Sequence, residues 1–477
     1  MKRIFFVTMV AFFALSFLMG AVATNEVKAE EKPWEGQTIR VVSFMLAGLD
    51  EVQNQVGEFE KQYNIKVKWD MLAMGTMREK MMIDFNAGTK TIDVGMSSIH
   101  LTPTHLAKNN IEPLDDYIKG PLAEPDLLEF DDFYPAAIEV VTFPKNGLKG
   151  PTAIFGLPYH CETQGLMYRK SIYKKYNLSV PKTLEEYLNN AKVITEGEKP
   201  KMYGIAWRAL RSPQIMWAFT QVLRAYGGKY FVDYPNDLTP ALDTKEFKDA
   251  LTYFVNSFDY APPGSRSWAY TEVITGLQSG LVAQALDDLM YARYLEDKEK
   301  SVAPDDWGYG VLPLKEGLTY ADVKFGPGIK ASEHWVINAD ISDEKKQAAF
   351  KFIQWATSKK VMSALAQKGV MKGFIARKSQ YELVKDQDWA KAFVANLEHA
   401  SKFSRPKLPE WPKVSEQIQI VVSGAVIGDF TPEEAAERAQ KECTRILKTK
   451  ILFRRIRSGC CSCLSGFQGT SNFRFRL

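Results

Sequence analysis

The stretch GLPYHCETQGLMYRK, residues 156–170, sets His160, Cys161 and Glu162 side by side. These are side chains that ligate metals, carry protons or act as nucleophiles. Partners for them are scarce. Among the five histidines no His-Glu-x-x-His motif occurs, and His100 and His105 are separated by Pro103 at a spacing too long for one helical face. Neither a metal nor a cofactor is therefore expected. VGMSSIH supplies Gly95 and Ser97 but not the second glycine of a nucleophile elbow. GPGIKAS (326–332) and YGGKY (226–230) lack the phosphate-loop spacing and read as turns. Two carboxylates suffice for glycoside hydrolysis, and Glu162 with Asp287 could supply them. A chain with 57 acidic residues offers such pairs by chance, so an enzyme is not the expected reading. A secreted carbohydrate-active enzyme stays as the alternative.

Aromatic residues are more suggestive. Tyr159, Trp217, Trp268, Tyr270, Tyr291, Trp307 and Trp335 fall near predicted strand ends or in loops. A flat aromatic face buries the apolar side of a sugar ring while polar neighbours hold its hydroxyls, and such a site binds without reacting. The competing role for any one tryptophan is core packing, which is assigned to Trp355 on the edge of a helical stripe.

The elements that must position these groups read as an α/β protein. Lys2 and Arg3, the apolar run Ile4–Met19 and Ala21-Val22-Ala23 form an export signal, residues 1–23, with cleavage expected near Ala23. No cysteine follows the run to accept a lipid, so a soluble periplasmic product is expected. TIRVVSF (38–44), IKVKW (65–69) and TIDVGMSS (91–98) read as strands, alternating with helical patterns over 49–63 and 76–88. Such alternation implies a mostly parallel sheet whose ligands collect at the carboxyl ends of the strands. Thr183 with Glu186, Asp243 with Glu246, and Thr431 with Glu434 fit helix capping boxes. Of the net charge of +4, Lys2 and Arg3 leave with the signal, and Lys450, Arg454, Arg455, Arg457, Arg474 and Arg476 lie beyond residue 448 without an acid. The body is thus mildly acidic and lacks a basic stripe, which argues against nucleic acid as a partner. Residues 449–477 lose periodicity, and Cys460-Cys461-Ser462-Cys463 lacks the paired spacing of a zinc site. This tail is expected to be disordered.

Several fragments together carry a resemblance: YNIKV after the first amphipathic helix, TIDVGMSS, IFGLPYHCETQGLMYRKSIYKKY followed by VPKTLEEYLNNAKVIT, AYGGKYFVD, LQSGLVAQAL and AAFKFIQWATS. In this order the chain resembles the family 1 extracellular solute-binding proteins, the receptors of ABC-type importers, from about Thr38 to Lys448. The resemblance implies two α/β lobes joined by hinge strands, with a solute closed between them and handed by a monomeric receptor to a membrane permease. It implies crossings at GLPYHCETQGLMYRK, at VAQALDDLMYARY and from FGPGIKASEHW onward. The lobes are expected at 36–155 with 287–330, and at 156–286 with 331–448. Carried over by position, the solute contacts are Tyr159, Glu162, Asp287, Tyr291, Trp217, Trp268 and Trp335, with Ser97, Ser98 and His100 in the first lobe's loop. The loop MLAGLDE (45–51) is less polar than in many sugar binders of the family, and Ser97 stands where some carry an aromatic residue. A sugar is the expected solute, with a polyamine, peptide or metal receptor of the same fold as further alternatives.

Overall fold

The computed structural model describes residues 32–457, apart from 100, 146–149, 324–327, 329 and 401–405. The export signal, His100 and residues 458–477 of the tail lie outside the described residues. Two five-stranded sheets organise the chain. In chain order their strands are β1 (Thr38–Phe44), β2 (Lys66–Leu72), β3 (Val94–Ser98), β4 (Leu157–Pro158), β5 (Glu162–Arg169), β6 (Tyr203–Ile205), β7 (Val282–Asp288), β8 (Trp307–Gly310), β9 (Lys330–Ala331) and β10 (Glu333–Ile337).

The first sheet has the order β2-β1-β3-β10-β4, with β1 parallel to both its neighbours and β10 antiparallel to β3. Parallel neighbours need crossover helices, which the expected strand–helix alternation supplies. The helical stretch over 49–63 breaks at Gln55 into Leu49–Asn54 and Val56–Tyr63, and the next helix spans Met74–Ala87. Central β1 buries Val41, Val42, Ser43 and Phe44 in succession, as a strand covered on both faces must. Edge strand β2 keeps Lys66 and Lys68 on an open side.

The second sheet runs β8-β5-β7-β6, with β9 also paired to β5. Here β7 is buried along its whole length. The chain leaves the first sheet at β4, passes through Tyr159–Cys161, and enters the second as β5. It returns from β9 to β10 across Ser332. The two passages run side by side, since Ala331 lies opposite Glu162 and His334 opposite Pro158.

Late elements depart from the lobe boundaries expected from sequence. Residues 287–330 were assigned to the first lobe, yet β8 pairs with β5, and Leu289, Tyr291 and Trp307 share a core with Met167 in the second sheet. Conversely, β10 belongs to the first sheet, where Trp335, Phe352, Leu365 and Phe374 pack with Val41 and Phe59. Ile375, Trp389 and Phe393 pack in the core of the second sheet again, as do Ala436, Cys443 and Leu447 near the end of the described residues, while Arg377 still donates to Leu128 O and Thr357 O of the first lobe. The expected middle crossing is therefore a turn back within one lobe. Alternation reveals that a segment is a strand but not which distant strand it will pair with.

Capping behaves as expected at Thr183, whose hydroxyl accepts from Glu186 N while the Glu186 carboxylate accepts from Thr183 N, and at Thr431 with Glu434. At the third site the cap is Thr244, accepting from Phe247 N, while Asp243 instead pairs with Lys248. The last helix, Pro432–Arg457, continues into the tail that was expected to lack structure. Removing the Thr183 cap by Thr183→Ala should cost about 1 kcal/mol of stability, read as a lower urea midpoint with an unchanged slope.

Candidate solute-binding cleft

Between the two sheets lies a cleft of about 830 Å³. Both passages reach it. Glu162 stands at the start of β5, Glu333 at the start of β10, and His160 in the segment before β5; all three line the cleft. His160 Nε2 lies 2.8 Å from Glu333 Oε2, and its ring packs on Phe374 at 4.3 Å between centroids. Burial alone would raise the Glu333 carboxyl, but contact with His160 and the field of Arg78 hold it below the usual range. One donor atom from each of His160, Glu162 and Glu333 falls within 4.8 Å of the others, so the fold assembles a possible cation-holding triad that sequence spacing did not show. Cys161, adjacent to it, is fully buried, and burial pushes its thiol up to about 12, which leaves it inert as a nucleophile.

The second-sheet wall is organised by Arg208. Its Nη2 lies 2.6 Å from Asp287 Oδ1 and 2.5 Å from Asp288 Oδ2, and its Nε donates to Asp287 Oδ2 at 3.0 Å. Trp217 Nε1 donates to Asp288 Oδ1 at 2.9 Å, and the Tyr291 hydroxyl donates to Asp287 Oδ2 at 3.1 Å. The guanidinium also lies within 5.7 Å of the ring centroids of Trp217, Tyr270 and Tyr291. Burial pushes the Asp288 carboxyl up to about 7, with Arg208 pulling against that and Asp287 adding to it. Arg208, Asp288, Gln214 and Tyr270 face the cleft. Gln214 is placed by the N-terminus of the helix Pro213–Ala225, where Ser212 Oγ accepts from Gln214 N.

The residues expected to meet solute divide accordingly. Glu162 lines the cleft. Asp287, Tyr291 and Trp217 do not; they stand behind Arg208 and Asp288 as their partners. The pairing of Asp287 with Arg208 also removes the carboxylate pair that the hydrolase alternative needed. Tyr159 is fully buried, and its hydroxyl donates to Ala47 O at 2.8 Å, holding the loop after β1. That loop turns at Gly48, where φ is +77° and an added Cβ would meet Tyr159 Oη at 3.1 Å, so glycine is required there. Trp268 accepts at its carbonyl from Ala209 N and Leu210 N, fixing the strand end that carries Arg208. Trp335 is a core residue of the first sheet, edge-on to Trp69 and Phe352. Ser97 is buried and bonded to Thr102, and Ser98 is buried; neither is among the residues that line the cleft. His100 lies outside the described residues. Trp355 packs in the core as expected.

Sequence reasoning missed Arg208, Gln214, Asp288, Arg293 and Glu333. The signal for Asp288 was present in LDDLMY, where the two acids differ by one step in phase along β7. Arg208 carried no signal, since its partners lie far along the chain.

Two α/β lobes with a cleft at paired crossing strands define a type 2 periplasmic binding fold. The chain belongs to the bacterial extracellular solute-binding protein family, whose model matches residues 46–363. It is a binding protein and not an enzyme. It is 23% identical over 444 residues to a probable amino-acid ABC transporter periplasmic-binding protein of Sinorhizobium fredii, covering 91% of this chain and 95% of that one. It is 22% identical over 415 residues to the mannitol-binding protein of Pseudomonas aeruginosa, covering 82% and 88%. The crystal structure of an ABC transporter solute-binding protein from Agrobacterium radiobacter K84 in complex with ribitol superposes with a TM-score of 0.73 at 25% identity, covering 87% of this chain and all of that one.

Two outcomes test this geometry. Arg208→Ala strands two buried carboxylates and should destabilise the protein by about 3–5 kcal/mol in denaturant titrations. The raised Asp288 carboxyl keeps more protons in the folded than in the unfolded state between its ordinary value near 3.8 and about 7. Its contribution should therefore be full at the acid end and fade as pH rises through 7, and Asp288→Asn should remove that decline from a stability–pH profile.

Proposed function

We propose that this chain captures a neutral polyol or sugar by closing its lobes and delivers it, as a monomer outside the cytoplasmic membrane, to the permease of an ABC importer. One observation carries the choice of solute: Arg208, the guanidinium of the polar wall, is already bound by two carboxylates, while Glu162, Glu333 and Asp288 line the same cleft with carboxyl oxygens. Hydroxyl groups donate to such acceptors without bringing a charge that must be neutralised. An α-amino acid would need a cation for its carboxylate; with Arg208 bound by Asp287 and Asp288, it would have to use Arg293, stacked on Tyr294 at the cleft wall. The mannitol-binding relative and the ribitol-bound structure support the same solute class.

Closure makes each of these bonds stronger by excluding water, and solute biases the open–closed equilibrium only through contacts made in the closed form. The contribution of Glu162 follows from its place at the start of β5, where the chain passes between lobes and both walls reach the same hydroxyl. No helix among the described residues is long and apolar enough to cross a membrane. Removal of the export signal near Ala23 belongs to this proposal and is read from the N-terminus of the secreted protein.

Thermal unfolding in the presence of ribitol, D-mannitol or maltose tests the reading. The cognate class at about a hundred times its Kd should add roughly 2.7 kcal/mol of stability, a rise of a few degrees in Tm. Glu162→Gln should weaken that solute about tenfold or more, by calorimetry, while leaving the Tm of the solute-free protein in place. Stabilisation by amino acids and by none of the three polyhydroxyl compounds would overturn the proposal.

A further inference from the structure

The two walls of the cleft differ in chemistry. Toward the second sheet it is polar, with Arg208, Gln214 and Asp288, and Glu162 at the crossing. Toward the first sheet, the loop after β1, the end of β2 and the start of the helix Met74–Ala87 present Met45, Leu46, Met71 and Met74, with Val370 and Phe374 beside them. Met45 is 77% exposed and Met74 43% exposed. Large apolar side chains left open inside a binding cleft gain nothing from a solute made only of hydroxyls, whereas covering them with apolar surface is favourable. Among the described residues no tryptophan lines the cleft, and its aromatic faces are those of Tyr270 and Tyr294 with Phe44 and Phe374. Beside these rings stand the thioethers of Met45, Met71 and Met74, which are flexible and polarizable, able to fit irregular apolar shapes.

We infer that the receptor takes a two-part solute, a hydroxyl-rich head held by the polar wall and an apolar alkyl or aryl substituent laid against Met45, Met71 and Met74. The inference rests on the polyol reading above and adds the second half of the molecule. Because methionine surfaces repack around different partners, the substituent is recognised by its apolar area and not by one fixed outline. Alkyl and aryl groups are thus accepted alike.

Titration calorimetry on the purified full chain compares matched pairs: D-mannitol with 1-O-hexyl-D-mannitol, and maltose with hexyl and 4-nitrophenyl maltosides below their micellar concentrations. The substituted member should bind about tenfold more tightly than its parent, with a more negative heat-capacity change. In M45S/M74S, which alters two exposed positions, that ratio should shrink to about twofold or less. Equal affinity within each pair overturns the inference, as does a ratio that survives M45S/M74S; in either case the polyol reading stands, and the methionine wall serves lobe closure or permease contact instead. Binding of neither member of any pair overturns both readings.

Discussion

The cleft depends on one buried ion cluster, Arg208 held between Asp287 and Asp288. Taking three charges out of water costs several kcal/mol each unless every donor and acceptor is met. The surrounding residues meet that demand: Trp217 donates to Asp288, Tyr291 donates to Asp287, and aromatic faces lie beside the guanidinium. Trp268 fixes the backbone that carries Arg208. Within the cluster two carboxyl groups face one guanidinium, whose Nε and Nη2 are both taken up by them. The polarity of the site is thus set by what the cluster needs internally, before any solute enters.

This explains why so much of the early architecture was legible in the sequence and so little of the site. Strands β1 to β3 and their helices are specified by local periodicity, and the passage at residues 156–170 was read correctly as a crossing. Glu162, expected to meet solute, sits on that passage and lines the cleft. Asp287, Tyr291 and Trp217 lie in the expected neighbourhood but one layer deeper than the solute contacts they were expected to be. A buried network and a solute contact use the same residue types, and spacing does not say which oxygen faces outward. Trp335 shows the same limit: a tryptophan near a strand end serves a core or a ligand equally well, and only its contacts with Trp69 and Phe352 decide. The late elements went to the wrong lobes because their partners, β3 for β10 and β5 for β8, are chosen by long-range pairing.

The misplaced lobes matter for mechanism. With β8 and Leu289–Tyr291 in the second sheet, two strand passages run side by side between the sheets, β4 to β5 and β9 to β10, and the chain passes again between Phe374 and Ile375, where Ile375 N donates to Cys161 O. Both strand passages carry an acid at the junction, Glu162 and Glu333, with His160 against the latter. A residue at such a junction is bonded to both lobes through its backbone and offers its side chain to the cleft. It stays in register with the solute through a closing motion, whereas a residue on either wall must travel.

A small apolar cluster joins Ile99, just after β3, with Val140 and Trp217 on helices and Ala331 on the return passage. Trp217 therefore has two attachments: its ring packs in this cluster and its indole nitrogen holds Asp288. Any movement of Ile99, which follows β3, relative to the second sheet must disturb the packing of the same ring that donates to the cleft-facing Asp288. Opening the lobes would then loosen Asp288 as well as separate the walls. Capture and the alignment of its acceptor are in this way one process, because a buried aromatic cannot give up half of its contacts without shifting the hydrogen bond at its edge.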